Sequence, residues 1–171
     1  LIGIHKPSVE LPFHKEIYRV RPDLRAIVHA HPPTLVAFSL ARKLPNTHLI
    51  PTASEVCGEV TMARYDVPGS EQLGKNIAEE FAKGYNSVLL ENHGVVCGGK
   101  DLFGAVMSFE TLDTCGRLEI DAAKLGKPRL LTDEEIEIDA SIGSPRLDEF
   151  IPNTVSSEER AARRDLCTII H

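Results

Sequence analysis

The sequence predicts an α/β or α+β domain built on a single central sheet, and three observations lead there. Short apolar runs at 24–29, 56–65, 87–91 and 94–97 have the length and composition of strands. Between them, apolar side chains recur at the three- and four-residue spacing of helices. Strand-like and helix-like segments are interleaved without internal repeats or low-complexity tracts, so both kinds of element are expected to share one core. The 171 residues form one expected domain, 1–171. A chain of that size buries roughly 70% of its unfolded surface.

Taken in order, Ser8 reads as a helix N-cap with Glu10 in the first turn, near the positive end of the helix dipole. Phe13, Ile17 and Tyr18 supply the apolar stripe, and Arg21-Pro22-Asp23 ends the helix. Leu24 to His29 is the first strand. Pro32 and Pro33 break it, and a short helix from Thr34 to Ala41 follows. Asn46 to Ala53 is turn-rich, and Val56 to Tyr65 alternates loosely and reads as a strand ahead of Pro68-Gly69. Ser70-Glu71 opens a helix to about Lys83, with Leu73, Ile77 and Phe81 on its core face and Gly84 as its stop.

Ser87 to Glu91 and Gly94 to Cys97 are strands joined by a sharp Asn92-His93-Gly94 turn. Asp101 caps the longest helix, which runs to about Leu125. Thr132 to Glu135 starts another helix. The Ser156-Ser-Glu-Glu159 segment has capping-box spacing and begins the last one. Ser141 to Asn153 reads as a connection.

Composition narrows the function classes. A net charge of −6 argues against sequence-independent nucleic-acid binding, which needs a basic face. No apolar run approaches the roughly 20 residues that span a bilayer, and no signal peptide is visible, so no membrane partner is expected. Cys57, Cys97, Cys115 and Cys167 are widely spaced with no C-x-x-C pair, and a reduced, cytoplasmic protein with buried thiols is the expectation. The chain opens at Leu1 within an apolar run and stops at His171 within a helical pattern. Residues are therefore expected to be missing at both ends.

The chemistry lies in Ala26-Ile-Val-His-Ala-His31. Residues two apart on a strand face the same way, so His29 and His31 project together from a strand end. A pair of imidazoles beside a buried apolar run is costly to desolvate without a partner, and a metal ion removes that cost. A second apolar run ends in His93 before a glycine. Three neutral imidazoles suit Zn²⁺, with a fourth position left open for catalysis. By contrast, isolated His5, His48 and His171 read as surface or satisfied core residues, and His14 as packing. Gly98-Gly99-Lys100 reads as a turn, and the 158–164 charge run as a solvated helix face or subunit contact. Glu91 and Asn92 are candidates to orient the His93 ring, with turn-making an equally good account of Asn92.

Together, Ser8-Val9-Glu10-Leu11-Pro12-Phe13-His14, Ile17-Tyr18, Arg21-Pro22-Asp23, His29-Ala30-His31-Pro32 and Asn92-His93-Gly94 closely resemble the class II aldolase and adducin-head family, nearest to its fuculose-1-phosphate aldolase branch. The resemblance implies a three-layer domain whose central, mainly antiparallel sheet is flanked by helices. It implies Zn²⁺ on His29, His31 and His93, with Glu10 beside the ion as proton shuttle and Ser8 contributing to phosphate binding. The implied reaction is cleavage of a ketose 1-phosphate into dihydroxyacetone phosphate and an aldehyde, through a metal-stabilised enediolate. A pentulose-phosphate 4-epimerase and a sugar-acid-phosphate decarboxylase or dehydratase share that chemistry and stay open as alternatives. A non-catalytic, adducin-like scaffold is the non-enzyme alternative, and a homotetramer with sites at subunit interfaces is the implied assembly. Val9 stands where family members carry a second serine, and no tyrosine occurs between Asn46 and Thr52, where the fuculose-phosphate aldolases carry one.

Overall fold

A computed structural model describes residues Lys6 to Ile142. The predicted last helix near Ser156, most of the 141–153 connection, Cys167, His5 and His171 lie outside the described residues. The elements run α1 (Leu11–Val20), β1 (Ala26–Ala30), α2 (Pro33–Leu40), α3 (Pro51–Cys57), β2 (Val60–Ala63), α4 (Glu71–Ala82), β3 (Ser87–Leu90), β4 (Val95–Gly99), α5 (Leu102–Leu125) and α6 (Asp133–Ile142). The strands form one sheet in the order β1-β4-β3-β2. β4 is antiparallel to both β1 and β3, while β2 pairs parallel to β3, which makes the sheet mainly antiparallel as expected.

Helices cover both faces because the strands are apolar on both faces. Ile27, Val88, Leu90 and Val96 pack with Phe13 and Ile17 of α1 and with Leu73, Ile77 and Phe81 of α4. The alternate residues Leu89, Val95 and Cys97 pack with Leu35, Phe38, Cys57 and Leu112 from α2, α3 and α5. Ala26 and Val28 meet Ala105 of α5. The period-two alternation of each strand therefore divides the core into two layers around the sheet.

Several boundaries differ from the sequence reading, each for a local reason. Glu10, not Ser8, is the N-cap of α1, since Leu11 and Pro12 take the first helical positions. The Ser8 hydroxyl instead accepts the Glu10 backbone N–H at 3.2 Å, a side-chain turn ahead of the helix. The turn-rich 46–53 stretch holds a 3-10 turn, Thr47–Leu49, and the start of α3, where Pro51 presets the first helical φ. Val56 and Cys57 consequently end a helix, closed by Gly58 at φ 59°, rather than begin a strand. The strand is confined to Val60–Ala63. Ser141 belongs to α6. By contrast, Ser70 caps α4 through Leu73 N–H at 3.0 Å, and Asp101 caps α5 through Gly104 N–H at 2.7 Å, both as predicted.

Candidate metal centre

The site is assembled where α1 begins, β1 ends and β3 turns into β4. On β1, His29 shares the parity of Ile27 and so faces the α1 layer, where its ring meets Phe13 edge-on at 5.2 Å. His31 follows one residue past the strand end. His93 lies in the β3–β4 turn, whose backbone is closed by Leu90 N–H on the Gly94 carbonyl (2.8 Å) and His93 N–H on the Leu90 carbonyl (3.1 Å). Asn92 takes the left-handed conformation there, φ 56°, which asparagine tolerates better than most residues. Gly94 is required by close approach: a Cβ would sit 2.4 Å from the Ala30 carbonyl oxygen and 2.7 Å from His31 Cδ2. The absence of that side chain lets the turn come down onto the end of β1.

Three imidazoles and one carboxylate thereby converge. Ring centroids are 4.6 Å apart for His29 and His31, 4.8 Å for His31 and His93, and 5.0 Å for His29 and His93. Glu10 turns its carboxylate into the same space, with Oε2 3.1 Å from His29 Nε2 and Oε1 3.2 Å from His93 Nε2. One ligand atom from each of Glu10, His29, His31 and His93 lies within 4.8 Å of all the others. Glu10 and His29 are buried, while His31 is exposed and opens the cluster to solvent.

Protonation decides what this geometry can do. The Val95 carbonyl accepts a hydrogen bond from His29 Nδ1 at 2.9 Å, which assigns the ring hydrogen to Nδ1. Burial, opposed by the Glu10 charge, lowers the His29 pKa to about 4, and burial lowers that of His93 as well. At neutral pH the His29 ring is therefore neutral, and its Nε2 lone pair points at a carboxylate oxygen. The contact has the length of an ion pair but not its charges. Buried Nε2 also has no hydrogen bond among the described residues. A divalent cation relieves that acceptor-against-acceptor contact, so the residues present fit a metal ion of the kind imidazole and carboxylate ligate.

The other candidates fall elsewhere. His14 is buried on α1 and stacked on Phe13 at 4.4 Å, the packing role expected of it. Cys57, Cys97 and Cys115 are buried free thiols, pushed up by burial to about 12, 12 and 11 respectively. Glu91 does not orient the His93 ring. Its carboxylate is engaged by the Tyr65 N–H at 2.9 Å and Arg42 at 2.8 Å. Meanwhile His93 Nδ1 is buried without a hydrogen bond among the described residues. Two surface hollows, of about 360 and 260 Å³, share no residue with the cluster. Sequence reasoning missed Arg42 and Tyr65, whose roles depend on strand pairing. The Gly94 requirement was also missed, with only the H-G dipeptide as a signal. No helix among the described residues is long and apolar enough to cross a membrane.

Residues 2–120 match the family model for the Class II Aldolase and Adducin N-terminal domain. The chain is 34% identical over 137 residues to a 5-deoxy-D-ribulose 1-phosphate aldolase of Bacillus thuringiensis, covering 79% of this chain and 62% of the relative. It is 38% identical over 117 residues to a 3-oxo-tetronate 4-phosphate decarboxylase of Pectobacterium atrosepticum, covering 66% and 53%. Among solved structures, an L-fuculose 1-phosphate aldolase superposes with a TM-score of 0.72 at 31% identity, over 83% of this chain and 66% of that one. The chain thus spans less than two thirds of the length of these curated relatives.

Proposed function

Because this chain belongs to the class II aldolase and adducin N-terminal domain family, we propose that it is a zinc-dependent lyase. In this reading it cleaves a ketose 1-phosphate to dihydroxyacetone phosphate and an aldehyde. The observation that carries the reading is the Glu10 carboxylate directed at the His29 and His93 nitrogens at 3.1 and 3.2 Å. The bound ion would be held by His29, His31 and His93. It supplies Lewis-acid stabilisation of the negative charge that develops on the substrate's carbonyl oxygen.

The chain's own groups do the rest. As the C3–C4 bond breaks, the C4 hydroxyl loses its proton and becomes the aldehyde, while C3 keeps the electron pair and must gain a proton. Glu10 is the carboxylate beside the histidines, and it holds and returns that proton at C3. His29 is kept neutral by burial and oriented by the Val95 carbonyl, so it remains a ligand rather than a competing acid. Ser8, whose hydroxyl lies against the Glu10 backbone N–H, is the weaker candidate for the substrate phosphate. A homotetramer belongs to the same proposal.

The 38% identity to a decarboxylase favours a second reading with the same residues. There the bond that breaks joins the carbon next to a ketone to a carboxylate, carbon dioxide leaves, and Glu10 protonates the same kind of carbon. One experiment separates the two. Ketose 1-phosphates and 3-keto sugar-acid phosphates are supplied to the zinc-loaded protein, and dihydroxyacetone phosphate and carbon dioxide are measured side by side. Zinc-dependent release of dihydroxyacetone phosphate and an aldehyde from a ketose 1-phosphate, without carbon dioxide and lost in Glu10→Gln with zinc retained, is the expected result. Carbon dioxide from a 3-keto sugar-acid phosphate, with no cleavage of the ketose 1-phosphates, transfers the assignment to the decarboxylase, and bound zinc with neither reaction overturns both.

A further inference from the structure

We propose that the connection between β2 and α4, residues 64–70, is a brace that sets the spacing between Glu10 and His93, with Glu91 and Gly69 as its positioning residues. The inference rests on reading the glutamate and three histidines as a metal site, and it assigns a role to residues outside that cluster.

At one end the brace grips the β3–β4 turn. Tyr65 donates its backbone N–H to Glu91 Oε2 at 2.9 Å, and Glu91 donates its own N–H to the Ala63 carbonyl at 3.1 Å. Arg42, at the end of α2, places Nη1 on the same Oε2 at 2.8 Å. Glu91 is therefore held through both side chain and backbone, two residues ahead of His93. At the other end Gly69, at φ 83°, lies against the residue before Glu10. A Cβ there would be 2.9 Å from the Val9 carbonyl oxygen and 3.5 Å from the Val9 Cβ.

Between these contacts the connection is fixed against itself. Asp66 Oδ1 accepts from the Val67 N–H at 2.8 Å and the Ser70 hydroxyl at 2.9 Å, and the Ser70 N–H reaches the Val67 carbonyl at 2.9 Å. Asn76 of α4 donates to the Arg64 carbonyl at 3.2 Å, and Gln72 in turn donates to Asn76 Oδ1 at 2.9 Å. The His93 ring has no such support, since its Nδ1 is buried without a hydrogen bond among the described residues. Its placement therefore comes from the backbone of the turn, and that backbone is tied to Glu10 through residues 64–70.

The test measures zinc affinity by competition with a chromophoric chelator, together with the visible spectrum of the cobalt(II)-substituted protein. Glu91→Ala is expected to weaken zinc binding about 10–100-fold, as loss of outer-shell support does elsewhere, and to change the cobalt spectrum. Glu91→Gln keeps an acceptor oxygen for Tyr65 and should recover part of the affinity. Gly69→Ala, which presses on Val9, should change the cobalt spectrum in a protein that still melts cooperatively. Should Glu91→Ala not fold, Arg42→Ala reads the same contact from a half-exposed side chain, with a smaller loss in the same direction. Wild-type affinity and spectrum in Glu91→Ala, or in Arg42→Ala where that variant stands in, overturn the brace while the metal reading survives. A wild-type protein that binds no zinc overturns the metal reading and the brace with it.

Discussion

Glu10 and Arg21 cap the two ends of α1, and both are ionic groups drawn largely out of water, yet their surroundings are opposite. Arg21 finds an acceptor for every guanidinium nitrogen. Nε and Nη2 take the two Asp23 oxygens at 2.8 Å each, and Nη2 also takes Asn86 Oδ1 at 2.9 Å. Nη1 takes the Tyr85 and Phe81 carbonyls at 3.1 and 3.3 Å. The hydrogen bond to Asp23 raises its pKa further, so the charge is permanent. Glu10 faces ring nitrogens instead, and the one on His29 is a lone pair. A charge whose partners are all supplied by the fold ties the end of α1 to α4 and to the connection that leads into β3. A charge facing acceptors leaves a place for an ion from outside.

Four measurements break or sharpen that contrast. The largest effect is expected on stripping the metal from the Glu10 end, by chelation or by His31→Ala. Losing several kcal/mol of charge stabilisation lowers turnover by about 10³-fold or more. Unfolding midpoints of the stripped protein and of Arg21→Ala, compared side by side, show which end carries stability. Next comes Glu10→Gln, which removes the group proposed to transfer the proton while leaving the histidines in place. Turnover should fall about 10²–10⁴-fold with zinc still bound. Full activity in that variant would assign Glu10 to the cap of α1 alone.

The third effect is on stability. His29 in the folded protein has a pKa of about 4 against an ordinary value of 6.5, because burial disfavours its charged form. As pH falls below 6.5 the unfolded chain takes up a proton that the folded chain refuses until about 4. The metal-free protein should therefore lose about 3 kcal/mol across that window and be level in this respect above it. His93, lowered in the same direction, adds to the loss. Denaturant unfolding at pH 7, 5.5 and 4 checks it, and a stability independent of pH would mean that burial does not lower the His29 pKa. The smallest effect is Arg21→Ala, which leaves the Phe81 and Tyr85 carbonyls without their donor. It should cost about 2 kcal/mol in unfolding free energy, with zinc affinity unchanged. A loss of zinc binding in that variant would dissolve the contrast between the two ends.

Much of the local architecture was legible before any coordinates. α4 and α5 begin where Ser70 and Asp101 announce them, because a cap is a contact between residues three apart. The His29 and His31 pair is legible for the same kind of reason, the two-residue period of a strand. Between Asn46 and Tyr65 the turn and the strand were legible, and the helix Pro51–Cys57 was missed. The apolar residues of that stretch serve a short helix and a short strand in succession, and both patterns pack into one layer of the core. Similarly, Ser8 has the residue type of a cap, but Pro12 moved the helix start to Glu10.

The sequence by itself determined which residue types could hold a metal, the shared face of His29 and His31, and the family to which the chain belongs. All of these are written in residue identity and short spacing. Only the tertiary structure decided that a carboxylate from the start of α1 meets an imidazole from the β3–β4 turn at 3.2 Å. It alone decided that Gly94 must lack a side chain for His31 and His93 to stack, and that Arg42, Tyr65 and Glu91 meet at one oxygen. Those contacts join residues far apart in the chain, and their distances follow from strand order and helix packing rather than from any local periodicity.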